Sequence, residues 1–144
     1  MPRVTVVMPA FNVAPYLREA VDSVLAQTCG DWELLIVNDG STDETPAIAH
    51  DYARRDPRIR VIDQQNCGLA CARNTALRAG QGEFFALLDS DDLWEPGFLQ
   101  SQLEVFAQHP ETGLVSGSAR LLGGPQNGQP ARPIIPGHPA LTQL

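Results

Sequence analysis

Three carboxylates fall within four residues, at Asp89, Asp91 and Asp92, with only Ser90 between them. Left bare, such groups repel one another and push their own pKa values up. A divalent cation removes the conflict. Mg2+ and Mn2+ prefer oxygen ligands and are ordinarily held by one or two carboxylates together with phosphate oxygens. The cluster therefore reads as a metal site, with Asp91, Asp89 and Asp92 as ligands, serving a diphosphate that an acidic site could not otherwise hold. The plain alternative is that Asp92 caps a following helix and the others are solvated. Asp39 has two readings as well: a turn aspartate ahead of Gly40, or an acceptor for a nucleobase N–H or a ribose hydroxyl. Arg73 falls inside an apolar helical stripe of Leu69, Ala72, Ala76 and Leu77, so its guanidinium must snorkel or meet an anion, a nucleotide being the sharper case. Asn66 and Gly68, just before that stripe, either cap the helix or let the backbone approach a ligand closely.

These residues share a position relative to the elements that must carry them. Val4 to Met8 is a β-branched run stopped by Pro9. Leu17, Ala20, Val21, Val24 and Leu25 mark one face of a helix, with Pro15 in its first turn. Trp32 to Val37 is apolar almost throughout, as a parallel strand covered on both faces should be. Ser41-Thr42-Asp43-Glu44 resembles a capping box ahead of a second helix. A third strand over Arg58–Asp63, a third helix over Gly68–Ala79, a fourth strand over Glu83–Leu88, a fourth helix around Leu99–Ala107 and a fifth strand over Gly113–Ser118 complete the pattern. Strand and helix alternating at short spacing predict βαβ units: a three-layer α/β/α fold with a mostly parallel sheet. In such sheets ligands sit beyond the carboxyl ends of the strands. Pro9-Ala10-Phe11-Asn12, Asn38-Asp39-Gly40-Ser41, Gln64 to Gly68 and Asp89 to Asp92 all follow strands, so the polar segments converge on one edge.

Composition narrows the chemistry. The 144 residues carry a formal charge of −7 and no lysine. That excludes a lysine nucleophile and a P-loop lysine within the chain, and argues against nucleic acid as a partner. Neither G-x-G-x-x-G nor G-x-x-x-x-G-K-[ST] is present. There is no run of 18 apolar residues and no signal-peptide pattern at the N-terminus. Cys29, Cys67 and Cys71, an odd and sparse set, are expected as unpaired thiols in a reducing, cytoplasmic setting. From Leu122 onward Pro and Gly dominate, so residues 1–121 are read as the domain and 122–144 as a tail or linker. That tail is expected to be poorly ordered.

Taken together, Val6-Val7-Met8-Pro9-Ala10-Phe11-Asn12, Val37-Asn38-Asp39-Gly40-Ser41-Thr42-Asp43, Asn66-Cys67-Gly68-Leu69-Ala70-Cys71-Ala72-Arg73-Asn74 and Leu88-Asp89-Ser90-Asp91-Asp92 resemble the family 2 glycosyltransferases of GT-A fold, in order and spacing, over about residues 3–118. The resemblance implies a nucleotide-diphosphate-sugar donor, inverting transfer and a saccharide or lipid-linked acceptor. It places Pro9, Ala10, Phe11, Asn12, Asp39, Asn66, Gly68, Arg73, Asp89 and Ser90 at the nucleotide, and Asp91, Asp89 and Asp92 at the metal. Asn38 stands where many members have Asp. Inverting transfer needs an Asp or Glu to take the acceptor's proton. In the family this base follows the Asp-x-Asp in the acceptor half, and neither Glu95, Glu104 nor Glu111 matches it. The expectation is therefore a donor half, an incomplete GT-A fold that binds nucleotide without completing transfer, any peripheral membrane association belonging to regions outside it. The alternatives are a catalytically inactive nucleotide-binding protein and, less well supported, a sugar nucleotidyltransferase. A receiver module, doubly wound with clustered aspartates, would need a lysine.

Overall fold

Val4–Ala10 (β1) and Trp32–Asp39 (β2) are buried at every residue. That is the burial expected of central parallel strands with helices on both faces. Ile59–Gln64 (β3) and Phe84–Leu87 (β4) flank them and are only partly covered. The computed structural model, which describes residues 1–120, orders the parallel sheet β3-β2-β1-β4. Between the strands run Ala14–Leu25 (α1), Thr45–Arg55 (α2) and Leu69–Ala79 (α3). The chain steps outward from β1 to β3, then returns past β1 to β4. With right-handed crossovers, α1 and α2 lie on one face and α3 on the other. The strand order thus reverses between β1 and β4, which is where an open α/β sheet holds its ligand.

Side-chain size sets the packing of α3. Ala72 and Ala76 are fully buried against Val7, Leu35 and Val37. Small residues let the helix axis approach the sheet closely, and this narrows its buried face. Leu69 and Leu77, expected in that stripe, are instead 52% and 40% exposed. On the opposite side, Tyr52 of α2 donates its hydroxyl to Asp22 Oδ1 of α1 at 2.7 Å. Burial and this carboxylate push the phenol up to about 12.

The chain divides into two compact units, Met1–Pro96 and Gly97–Leu144. The first contains the sheet and α1–α3. The described part of the second contains Phe98–Gln108 (α4) and a turn in which Thr112 N–H donates to the His109 carbonyl. The expected strand over Gly113–Ser118 does not form. Its two glycines leave only Leu114 and Val115 as apolar side chains, and Leu114 is 78% exposed, so a strand there would have little to pack. The tail expected at 122–144 lies outside the described residues. Among the described residues no helix is long and apolar enough to cross a membrane.

Candidate functional site

The loops after β1 and β2 are stitched together before either reaches a ligand. Asn12 N–H donates to Ser41 Oγ at 3.0 Å, and Asn12 Oδ1 accepts from Thr42 N–H at 2.8 Å. Val13 N–H donates to the buried Thr45 Oγ1, and Ala14 N–H to Asp43 Oδ2. The last two are orphan donors at the start of α1, so the second loop caps the first loop's helix. Asp43 Oδ1 also accepts from Thr45 N–H at 2.9 Å. The expected capping box is therefore not built by Ser41 and Glu44: α2 starts at Thr45 with Glu44 at the cap position, so Ser41 lies too far ahead, and Asp43 takes the Thr45 N–H instead. Asn12 itself adopts a positive φ of 53°, the left-handed conformation that Asn tolerates better than most residues.

Asp39 ends β2 and is 4% exposed. Its Oδ1 accepts from Gln64 Nε2 at 2.7 Å and Cys67 N–H at 3.0 Å, and its Oδ2 accepts from Gly68 N–H at 2.8 Å. Burial alone would raise its pKa. The hydrogen bonds from Gln64, Cys67 and Gly68 outweigh it and hold the carboxyl below its ordinary value. A carboxylate offers about four acceptor positions. Three are used by the protein's own donors, which leaves one acceptor position on Oδ2 unused by the described residues. The two readings of Asp39 as turn residue and as ligand acceptor are thus compatible. Gly40, at φ 77°, follows it; a Cβ there would lie 2.8 Å from the Asn66 amide nitrogen. The close approach of the β2 and β3 loops requires glycine.

Beyond β4 the chemistry is different. Arg73 of α3 meets Asp89 Oδ1 at 2.6 Å, so the anion that its place in the helix demanded is a carboxylate of its own chain. Its Nε is buried without a partner. Asp92 N–H donates to the Asp89 carbonyl, closing a turn. Asp92 does not cap a helix, since α4 begins only at Phe98. Burial, then the charges of Asp91 and Asp89, raise its carboxyl above the ordinary value.

A cavity of about 440 Å³ joins these regions. Pro9, Ala10 and Phe11 line it from β1 and its loop, Asp39 from β2, Asn66 and Gly68 from the approach to α3, and Asp89, Ser90 and Asp91 from beyond β4. The volume is within the range of small-molecule sites. Three of the expected residues are not in the lining: Asn12, which clamps the two loops, Arg73, which pairs with Asp89, and Asp92. Three others line it unexpectedly, namely Val13, Leu69 and Ala72. Helical periodicity assigns Leu69 to the core. Its place at the first residue of α3, where the strand-end edge begins, is the signal that would have found it.

The expected trio of metal ligands is not assembled: among the described residues no three His, Cys, Asp or Glu side chains group to hold an ion. Asp89 and Asp91 share the cavity and Asp92 does not. Two carboxylates suit the common mode in which phosphate oxygens complete the shell, and do not suit an all-protein cage.

The cysteines also differ from expectation. Cys67 and Cys71 are joined in a disulfide, with Cα atoms 5.7 Å apart, and only Cys29 is free. Cys67 precedes α3 and Cys71 is in its first turn. The i, i+4 spacing across a helix start brings the two onto one side within bonding range.

The sequence profile described as Glycosyl transferase family 2 matches residues 5–138. Over 109 residues the chain is 43% identical to the uncharacterized glycosyltransferase EpsJ of Bacillus subtilis, covering 76% of this chain and 32% of that protein. TarS 1–349 of S. aureus, solved in complex with UDP, is similar in structure with a TM-score of 0.70 at 29% identity, over 76% of this chain and 33% of that one. A mannosyltransferase from Pyrobaculum calidifontis, solved with GDP-Man and Mn2+, gives 0.70 at 31% identity, over 86% and 36%. The chain thus spans about a third of the length of these relatives.

Proposed function

The chain belongs to glycosyl transferase family 2, and from that premise we propose that it forms the donor-binding half of an inverting glycosyltransferase, holding a nucleoside-diphosphate sugar with a divalent metal. The observation that carries this reading is the single cavity that collects Asp39 on one side and Asp89 and Asp91 on the other. The free acceptor position on Asp39 suits a base that presents a ring N–H. Uracil and guanine, the bases in the complexes of TarS and the mannosyltransferase, both do so. Gly68 and Asn66 let the backbone approach the nucleotide, and Phe11 offers an apolar wall.

Asp91 and Asp89 are the residues that would hold Mg2+ or Mn2+. Arg73 occupies Asp89 Oδ1 and so leaves Oδ2 for that purpose. When bound, such a cation neutralises the diphosphate and stabilises it as leaving group. The protein's own part is to fix the two carboxylates at one end of the cavity and the base acceptor at the other.

No glutamate lines the cavity, and its three aspartates are assigned to base and metal. We therefore assign the general base to none of them, and the acceptor, saccharide or lipid-linked, to surfaces beyond this cavity. A missing base costs about 10²–10⁴-fold in rate, and missing acceptor positioning costs more. The test is calorimetry of the 144-residue chain with UDP and GDP, in Mn2+ and in chelator, beside a turnover assay with acceptors. Metal-dependent binding without glycoside formation is the expected result. Equal affinity with metal and chelator would remove the metal from the reading, and robust transfer would return Glu95 to consideration as the base.

A further inference from the structure

Asp39 owes its fixed orientation to more than the backbone. Gln64, the last residue of β3, places Nε2 2.7 Å from Asp39 Oδ1, while its Oε1 lies 2.7 Å from Thr75 Oγ1 on α3. The carboxylate has no proton to give, since it is held below its ordinary pKa. Gln64 must therefore turn its NH2 group, not its oxygen, toward Asp39. The oxygen is left facing Thr75, whose hydroxyl must donate. A helical threonine could instead return its proton to a carbonyl of the preceding turn. Here it is spent on Gln64, and this anchors the amide in the orientation that Asp39 requires.

We infer that Gln64 and Thr75 are positioning residues that orient Asp39 and thereby set how well the site recognises the nucleobase. The inference rests on the donor-binding reading above. Neither side chain is among those lining the cavity, so both stand behind Asp39. Cys67 and Gly68 hold Asp39 from the chain segment that enters α3. Gln64 holds it from the neighbouring strand, and Thr75 ties that hold to a later turn of α3. With Gln64 gone, Oδ1 keeps a single donor and the carboxylate is free to rotate about its last bond. The acceptor position offered to a base N–H then loses its direction, while the diphosphate end of the cavity is untouched.

Of the other charged groups on these elements, Asp63 of β3 meets His50 and Asn38, Arg60 of β3 meets Glu33, Arg73 of α3 meets Asp89, and Arg78 lies in the last turn of α3, at the end away from Gly68; Cys67 and Cys71, bonded to each other, bear no charge.

The experiment uses the 144-residue chain and three variants, Gln64→Leu, Thr75→Val and Thr75→Ser, with UDP, GDP and inorganic pyrophosphate as probes in Mn2+. Gln64→Leu is expected to weaken binding of the preferred nucleoside diphosphate about tenfold, the scale of one lost hydrogen bond to a charged group. Thr75→Val is expected to weaken it a few-fold, and Thr75→Ser, which keeps the hydroxyl, to restore it. Pyrophosphate affinity should stay the same in all four proteins. A second readout needs no nucleotide: the carboxyl carbon resonance of Asp39 should titrate at higher pH in Gln64→Leu and Thr75→Val than in the parent or Thr75→Ser. Equal losses for pyrophosphate and nucleotide, or an Asp39 titration unmoved by Gln64→Leu, would overturn the inference. If the parent binds neither UDP nor GDP while the titration shifts as described, the donor-binding reading fails and the orienting role of Gln64 and Thr75 on Asp39 stands.

Discussion

The two ends of the cavity solve the problem of a carboxylate in opposite ways. At the β2 end Asp39 is buried, takes three donors from its own chain and is held below its ordinary pKa. At the β4 end the structure gives Asp91 no donor, Asp89 has Arg73 alone, and Asp92 is raised by burial and by its neighbours' charges. One end is satisfied at three of its four acceptor positions without a ligand and helps hold the fold. The other carries uncompensated negative charge that a cation and a diphosphate would relieve. Under the reading proposed above, such a site would recognise a base rigidly while a metal and phosphates came and went.

The comparison breaks most visibly at Asp39. Asp39→Ala would leave Gln64 Nε2 and the N–H groups of Cys67 and Gly68 without an acceptor. Unsatisfied buried donors cost about 1–3 kcal/mol each, less where water can enter. We expect a loss of about 2–4 kcal/mol in unfolding free energy by denaturant titration, together with loss of nucleotide binding. A variant as stable as the parent would mean that Asp39 is a ligand residue only.

Reducing the Cys67–Cys71 bond comes next. A closed loop this short removes little chain entropy, about 2 kcal/mol at most in the loop-closure treatment. Denaturant titration with and without a dithiol should show a loss no larger than that, with α3 retained by circular dichroism. Unfolding of the whole domain on reduction would contradict an α3 held by Ala72 and Ala76.

Acid sharpens the contrast. Asp39, despite its burial, Asp56 through Arg58, and Asp63 through Asn38 and His50 all have carboxyl pKa values lowered from 3.8. A depressed folded-state pKa contributes stability that is present above the unfolded value and lost as pH falls through the folded one. Stability should therefore be level down to about pH 4 and fall progressively below it. A stability maximum near pH 3 in urea titrations would show that these carboxylates are not held as described.

Asp91→Asn should have the smallest effect on the fold. The side chain is exposed and makes none of the hydrogen bonds found at Asp39, so its removal should change unfolding free energy by no more than about 0.5 kcal/mol. Its effect should appear only in binding, as loss of the Mn2+-dependent part of nucleoside-diphosphate affinity by calorimetry. A destabilised Asp91→Asn protein would mean that the β4 end, too, is structural.

The strands and the edge they share were legible because both rest on strong local signals. Val4–Met8 and Trp32–Val37 are uniform apolar runs, and each is followed by polar residues at the point where a parallel sheet ends. Finer detail depended on competition that a linear pattern does not contain. Ser41 fits a capping box, yet α2 begins only at Thr45 and the Ser41 hydroxyl meets Asn12, 29 residues earlier. Leu69 and Leu77 have core periodicity, yet Ala72 and Ala76 bring α3 so close that only a narrow stripe is covered. Arg73 was legible as a cation seeking an anion, but its partner Asp89 is fixed by the return of the chain to β4. Cys67 and Cys71 are four apart, a spacing equally compatible with two thiols, and only the helix start between them decides the pairing. Gln64 is legible as part of the polar segment at the strand-end edge but not in its role, because a glutamine there carries no chemical signature until both of its neighbours are known.

Gly40 has a consequence for anyone wishing to retool the cavity. With φ at 77° and the Asn66 amide 2.8 Å from where a Cβ would be, this position admits no library of side chains. Asp39 and Gly68 are bound to the same constraint through their shared hydrogen bond. Diversity has to enter where the wall is made of side chains already facing outward. Phe11 and Leu69, 48% and 52% exposed, are the two large ones. Directed evolution toward a new ligand should therefore accumulate its substitutions at these two positions, around an inherited backbone cradle it cannot rewrite.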